Sequence, residues 1–162
     1  MNTIIQSPGE MMKIIPTGIK FTLVGGCFDL IHVGHLHLLE NAASFSDMLV
    51  VAVLSDKYIK TYKDRMRPVI NQEQRARMVA SIRFVDFAYI SEVSPSSPET
   101  LQLLKPDCVV FEESPETAEK NQRRAENIKR YSPRTHIRLL PRYSEAEIST
   151  GKIIRRIRGI VT

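Results

Sequence analysis

The chain has 162 residues, 43% hydrophobic and 25% charged, with a formal net charge of +5. That length supports one domain with its own core, and the composition excludes disordered, collagen-like and disulfide-built classes. No apolar run approaches the roughly 20 residues that a membrane-spanning helix needs. The N-terminus lacks the order of basic residues then apolar core that marks a secretion signal, so a cytoplasmic protein is expected.

Cys27 and Cys108 both fall in predicted strands, with no CxxC spacing, which points to small buried side chains rather than a disulfide or a metal site. The basic balance suits phosphate-bearing partners. A nucleic-acid surface would interleave basic residues with exposed aromatics, whereas here Trp is absent and the aromatics fall mostly in strands. Neither nucleic acid nor membrane is expected as a partner.

Residues 1–18 read as an extension, a leader or an added edge element, broken up by Pro8, Gly9, Pro16 and Gly18; residues 19–162 read as the domain proper. A first strand is predicted over 21–27, ending in Gly25-Gly26, and a helix over 34–44. The continuous apolar run 48–54 (MLVVAVL) is typical of a strand buried on both faces of a parallel sheet. Residues 57–70 carry Lys57, Lys60, Lys63, Arg65 and Arg67 without a clean period and read as a basic loop.

A helix follows to about Arg83, with Asn71 as N-cap. Further strands are predicted over 85–90, 108–111 and 136–140. Between them lie a short helix opened by Pro98 and a polar, mostly solvated helix over 115–130; a closing helix over 149–158 has Ser149 or Thr150 as its cap. Five alternations of strand and helix without hairpin signals give a Rossmann-like, doubly wound, five-stranded parallel α/β sheet in a single domain. Ligands of such sheets bind at the carboxyl ends of the strands. The residues at 25–29, 55–56, 112–113 and 142 all fall on that rim.

The junction of the first strand and helix reads GGCFDLIHVGH. Strand, glycine turn and helix together present backbone N–H groups and a positive helix end to an anion, usually phosphate. His32 and His35 lie nearly on one side of the helix mouth, and Gly34 between them keeps the backbone bare. His37, about 200° round from His35, faces away, so no zinc triad forms and a structural role is expected.

This run resembles the GxFDxxHxGH signature of the cytidylyltransferase-like nucleotidyltransferases. The family includes glycerol-3-phosphate and phosphoethanolamine cytidylyltransferases, the ADP-heptose-forming adenylyltransferase domain and archaeal FAD synthases. The resemblance covers about residues 21–157. It implies that His32 and His35 hold the phosphates of a nucleoside triphosphate and stabilise charge on the α-phosphate. Gly25, Gly26, Cys27, Phe28 and Asp29 would form the nucleotide-binding loop; Asp29 would shape the phosphate and acceptor pocket, or cap the turn. A Mg2+ carried by the nucleotide would sit nearby, with no protein metal site.

The stretch SDKYIKTYKDRMRPVINQEQRARM resembles the corresponding region of the ADP-heptose-type domains. It implies that Lys60 and Lys63 close over the triphosphate and that Arg75 contacts phosphate, with Lys63, like the histidines and Arg75, among the catalytic residues. Ile148-Ser149-Thr150 before Lys152-Ile153-Ile154 resembles the RTxGISTTKI motif of glycerol-3-phosphate cytidylyltransferases, where the hydroxyls and helix N–H groups bind the outer phosphates. Arg142 matches that motif's arginine. Ala146-Glu147 stands where a glycine is usual, and Gly151 replaces the second threonine. After the fourth strand, where relatives carry KGGDY or GDD in contact with base or acceptor, this chain has Phe111-Glu112-Glu113-Ser114-Pro115, which makes Glu112 a ligand-contacting candidate.

The expected activity is transfer of an NMP group from CTP or ATP to a small phosphorylated or phosphonate acceptor, releasing pyrophosphate, with CTP preferred. Sugar-1-phosphate or FMN adenylyl transfer is the alternative, and a nucleotide-binding sensor is the non-enzymatic one. The family habit adds a homodimer.

Overall fold

The computed structural model describes residues 3–5, 7–63, 66–143 and 148–161. Two apolar runs make its centre: β2 (Phe21–Gly26) and β3 (Met48–Leu54) pair in parallel from Phe21 opposite Met48 to Gly26 opposite Val53. Successive residues of β3 are buried, so helices must cover both faces. β4 (Phe87–Ser91) flanks β3, β5 (Cys108–Glu113) flanks β2, and β6 (His136–Pro141) lies outside β5.

The chain winds outward from β2 through β3 to β4, then returns to start β5 on the other side of β2. That reversal opens a crevice at the carboxyl ends of β2 and β5, the place where a doubly wound sheet takes its ligand.

Side chains alternate between the two faces, as the pleat requires. Val24, Val51, Val53 and Val110 point to one side, where α2 (Val33–Ala43) adds Leu39 and Ala42 and α4 (Gln72–Ala80) adds Ala76 and Val79. Leu23, Val50, Ala52 and Val109 point to the other. There α1 (Pro8–Ile14) contributes Met11, α5 (Pro98–Leu104) contributes Leu101 and Leu104, and α6 (Ala118–Tyr131) contributes Ile128.

The five expected strands are present, and the N-terminal segment adds β1 (Thr3–Ile5) as a sixth, parallel to β4 at the sheet edge. Pro8 does not break this segment: it sits in the first turn of α1, where a missing N–H costs nothing, and Ser7 caps the helix from Glu10 N at 3.3 Å. The basic stretch is not all loop, since Ser55 caps a short helix, α3 (Asp56–Lys60), too brief to show a period. Asn71 caps α4 as its position suggests, accepting from Gln74 N at 2.9 Å. The polar helix is split into a tight turn at Pro115–Thr117 and α6. Arg65 and the pair Ala146 and Glu147 lie outside the described residues.

Arg75, on α4, fixes the rim. Its side chain is fully buried, with Nε donating to the Ile70 carbonyl at 2.9 Å and Nη1 to the Cys27 carbonyl. Nη2 donates to the Leu54 carbonyl at 2.8 Å and to Asp56 Oδ1 at 2.7 Å. One planar guanidinium thus ties the ends of β2 and β3 to the start of α3. This corrects its expected place as a phosphate contact, because a buried group committed to protein acceptors has no face left for substrate. Arg75→Met should lower the unfolding free energy by about 3 kcal/mol or more, the cost of stranding buried acceptors and a partly buried carboxylate. Urea titration checks this, and a change under about 1 kcal/mol would contradict the clamp.

Candidate active site

The loop after β2 is tightly constrained. A Cβ on Gly25 would stand 2.0 Å from Pro95 Cγ, so only glycine fits there. Phe28 (φ 51°) and Leu30 (φ 50°) both take the left-handed conformation, a strain of order 1 kcal/mol each that the surroundings must hold. Phe28 is buried in the core under Gly26, 5.5 Å from the His35 ring, so it supports the loop from below rather than facing a ligand. Cys27 lies just past the strand and is half-buried, not enclosed in β2 as expected; Cys108 opens β5 and is buried.

Asp29 is fully buried. Its carboxylate accepts from Arg67 Nε at 2.8 Å, from Val69 N at 3.0 and 3.1 Å, and from Ile70 N at 3.1 Å. Its carbonyl accepts from Thr150 Oγ1 at 2.7 Å, joining the loop to the start of α7 (Thr150–Val161). Asp29 thus holds Arg67 and Thr150, two residues of the cavity wall, in place.

His32 is the N-cap of α2 and His35 lies in its first turn. Their rings stack with centroids 3.9 Å apart at 30°. Gly34 makes room for this: a Cβ there would meet His32 Cε1 at 3.0 Å, so the space the glycine opens is taken by the imidazole. The His32 backbone N–H donates to His35 Nδ1 at 3.3 Å. Burial, and then the charges of His32 and Lys63, push His35 down to about 3; burial and the Arg142 charge lower His32. Both rings are neutral at neutral pH. His37 stays out of the pair: its carbonyl accepts from Asn41 Nδ2 at 2.8 Å and its ring lies 4.9 Å from Tyr143.

A cavity of about 310 Å3 brings His32, His35, Lys63, Glu112, Arg142, Ser149 and Thr150 together. Ser149 caps α7, accepting from Lys152 N at 3.2 Å. Arg142 Nε lies 3.5 Å from Glu112 and Nη1 3.7 Å from Glu116. Gly25 and Gly26 end β2, and Cys27, Phe28 and Asp29 follow it; none of these five lines the cavity, nor does Lys60, exposed at the end of α3. Sequence reasoning passed over Arg67 and Tyr143, which also line the cavity. Arg67 was visible as one of five cations in the basic stretch; only the contact with Asp29 singles it out.

Among the described residues no group of three His, Cys, Asp or Glu side chains could hold a metal ion. Among those residues, too, no helix is long and apolar enough to cross a membrane.

A family model described as cytidylyltransferase-like matches residues 23–156. Among curated proteins, the FAD synthase of Pyrococcus abyssi is 36% identical over 140 residues, covering 85% of this chain and 92% of that protein. The Bifunctional protein HldE of Campylobacter fetus is 39% identical over 107 residues, covering 65% of this chain but 23% of that protein. The chain thus spans less than a quarter of the HldE proteins and about nine-tenths of the FAD synthases. Among solved structures, the lipopolysaccharide core biosynthesis protein of Thermoplasma volcanium superimposes with a TM-score of 0.65 at 22% identity, over 78% of this chain and all of that one, which supports the fold. The strand-turn-helix with its histidine pair and the match over most of the chain agree: this protein belongs to the cytidylyltransferase-like family of nucleotidyltransferases.

Proposed function

We propose that the chain transfers an NMP group from a Mg2+-bound nucleoside triphosphate, ATP in the first place, to the phosphate of a small acceptor, releasing pyrophosphate. The observation that carries this reading is the neutral, stacked pair His32 and His35 at the mouth of α2, in one cavity with Lys63, Arg142 and the N-terminal turn of α7. ATP comes first because the relatives that cover most of the chain are named FAD synthase, and FAD carries an adenylyl group on the phosphate of FMN. CTP is the second reading, favoured by Arg142 and Ile148-Ser149-Thr150, the residues that resemble the cytidylyl motif. The Asp29 carboxylate is already engaged by Arg67, Val69 and Ile70, so the Mg2+ is treated as part of the nucleotide substrate.

The chemistry follows from protonation states. His35 Nδ1 accepts the His32 N–H, which leaves the ring proton on Nε2 and makes that nitrogen a donor. Such a preorganised donor stabilises charge that builds on the α-phosphate. Ser149 and the first N–H groups of α7 suit the outer phosphates, and Lys63 follows charge as it passes from the attacking nucleophile to the leaving pyrophosphate. A phosphate monoester dianion is already a nucleophile, so the step needs no general base; positioning and charge stabilisation carry it.

The test is pyrophosphate release with Mg2+ and either ATP or CTP against FMN, sugar 1-phosphates, glycerol 3-phosphate, phosphoethanolamine and a small phosphonate. Release with one pair names base and acceptor; no triphosphate binding at all would overturn the reading. His35→Ala should cut kcat by about two to three orders of magnitude, the usual cost of losing one such donor. An unchanged kcat would remove His35 from the chemistry.

The depressed histidines also set a pH dependence. Their folded values lie below the unfolded value, so the unfolded chain binds protons first as pH falls. Stability is complete above about pH 6.5 and should decline toward pH 3, His35 contributing at most about 1.4 kcal/mol per pH unit. His35→Gln should flatten the decline measured by urea titration between pH 7 and 5. Identical slopes in both proteins would mean the His35 ring takes a proton freely in the fold.

A further inference from the structure

The turn after α3, at Lys63, and α6 carry three cations, Lys63, Lys120 and Arg124. Lys120 Nζ stands 4.7 Å from the centroid of the Tyr62 ring, and Arg124 Cζ stands 4.8 Å from that of Phe111, at the end of β5. Tyr58 meets Tyr62 edge-on at 5.6 Å, and Arg124 Nη1 donates to Asn121 Oδ1 at 3.0 Å. Lys63 follows Tyr62, the ring that Lys120 covers, by one residue and lines the cavity with His35, which links the cavity to the cluster; its charge lowers both His35 and Lys120.

Among the described residues, neither Lys63, Lys120 nor Arg124 has a carboxylate within ion-pair distance. The basic residues around them do: Arg67 meets Asp29, Arg75 meets Asp56, Arg123 meets Glu119, and Arg142 meets Glu112 and Glu116. Burial and its cationic neighbours push Lys120 down, and burial pushes Arg124 down. Like charges gathered together raise each other's energy, and an incoming anion relieves it. Tyr62, still 42% exposed beneath Lys120, offers a flat apolar wall beside them.

We propose that Lys63, Lys120 and Arg124 form a second anion subsite, which receives the phosphate of the acceptor, with Tyr62 as the wall for whatever that phosphate is attached to. The inference rests on the nucleotidyl-transfer reading and names the residues that would position the acceptor's phosphate within it. Only Lys63 of the three lines the cavity that holds the histidine pair, so it stands where nucleophile and α-phosphate must meet. An acceptor phosphate oxygen forms the new bond to the α-phosphorus, and the bond from that phosphorus to the bridging oxygen breaks. The electron pair leaves with pyrophosphate, and no proton is gained or lost. Lys120 and Arg124 are substrate-positioning residues in this step.

The experiment is a binding titration of the wild type, Lys120→Ala, Arg124→Gln and the double variant, each saturated with Mg2+ and a non-hydrolysable ATP analogue. Inorganic phosphate, FMN and glucose 1-phosphate are the probes. The double variant should bind phosphate and both esters about tenfold or more weakly, the size expected for lost charge-assisted contacts, while its affinity for the ATP analogue shifts less than about twofold. Lys120→Glu, a reversal at an exposed position, repeats the test where Arg124→Gln disturbs packing on Phe111, with the thermal midpoint confirming the fold. Tyr62→Ala should weaken FMN more than inorganic phosphate if the wall takes a ring.

Unchanged phosphate affinity in the double variant overturns the subsite, and so does an equal loss of the ATP analogue, which would place these cations on the triphosphate. Wild-type protein that binds the analogue but none of the probes removes the subsite and leaves nucleotidyl transfer standing. Failure to bind the analogue removes both.

Discussion

A single buried carboxylate holds the two halves of the site in register. Asp29 has no exposed surface, yet it gathers Arg67 and the amides of Val69 and Ile70, and its carbonyl takes the Thr150 hydroxyl. A charge in that position is tolerable only when its lone pairs are met, and here the partners come from two distant stretches of chain. The loop after β2, the approach to α4 and the first turn of α7 are therefore placed relative to one another by one residue. The left-handed backbone of Phe28 and Leu30 on either side is the strain that turns Asp29 inward.

Around that anchor, charge is arranged so that the histidines stay neutral. His35 is buried and feels Lys63, and His32 feels Arg142, so protonating either would add a cation where cations already stand. The outcome is a donor whose hydrogen bond is fixed by geometry rather than by charge. Gly34 belongs to the same arrangement. It reads in sequence as bare backbone for a ligand, but in the fold it is the gap into which the His32 ring packs, which brings the two imidazoles face to face.

The parts of this molecule that were legible in sequence are those with a local signal. Continuous apolar runs gave β2 and β3, Asn71 and Pro98 marked helix starts, and GGCFDLIHVGH marked the ligand-binding turn. Arg75 was misplaced because an arginine in a basic stretch looks like a phosphate contact; its burial depends on carbonyls at Cys27 and Leu54, which sequence distance hides. Arg67 was passed over for the opposite reason, since its partner lies 38 residues away. β1 was hidden by its three residues, too few to show alternation, and α6 read as solvated because its buried contacts are only Asn121 and Ile128.

The carboxylates at the end of β5 and just past it then acquire a physical meaning. Where glycines would let a ligand approach backbone, Glu112 and Glu116 stand near the Arg142 guanidinium at 3.5 and 3.7 Å. These pairs are partly exposed and screened, so they hold Arg142 loosely. Lys63, which lines the same cavity, and Lys120 and Arg124 outside it have no carboxylate at ion-pair distance among the described residues. On the proposed reading, an anion entering between β2 and β5 meets Lys63 in the same cavity as the histidine pair.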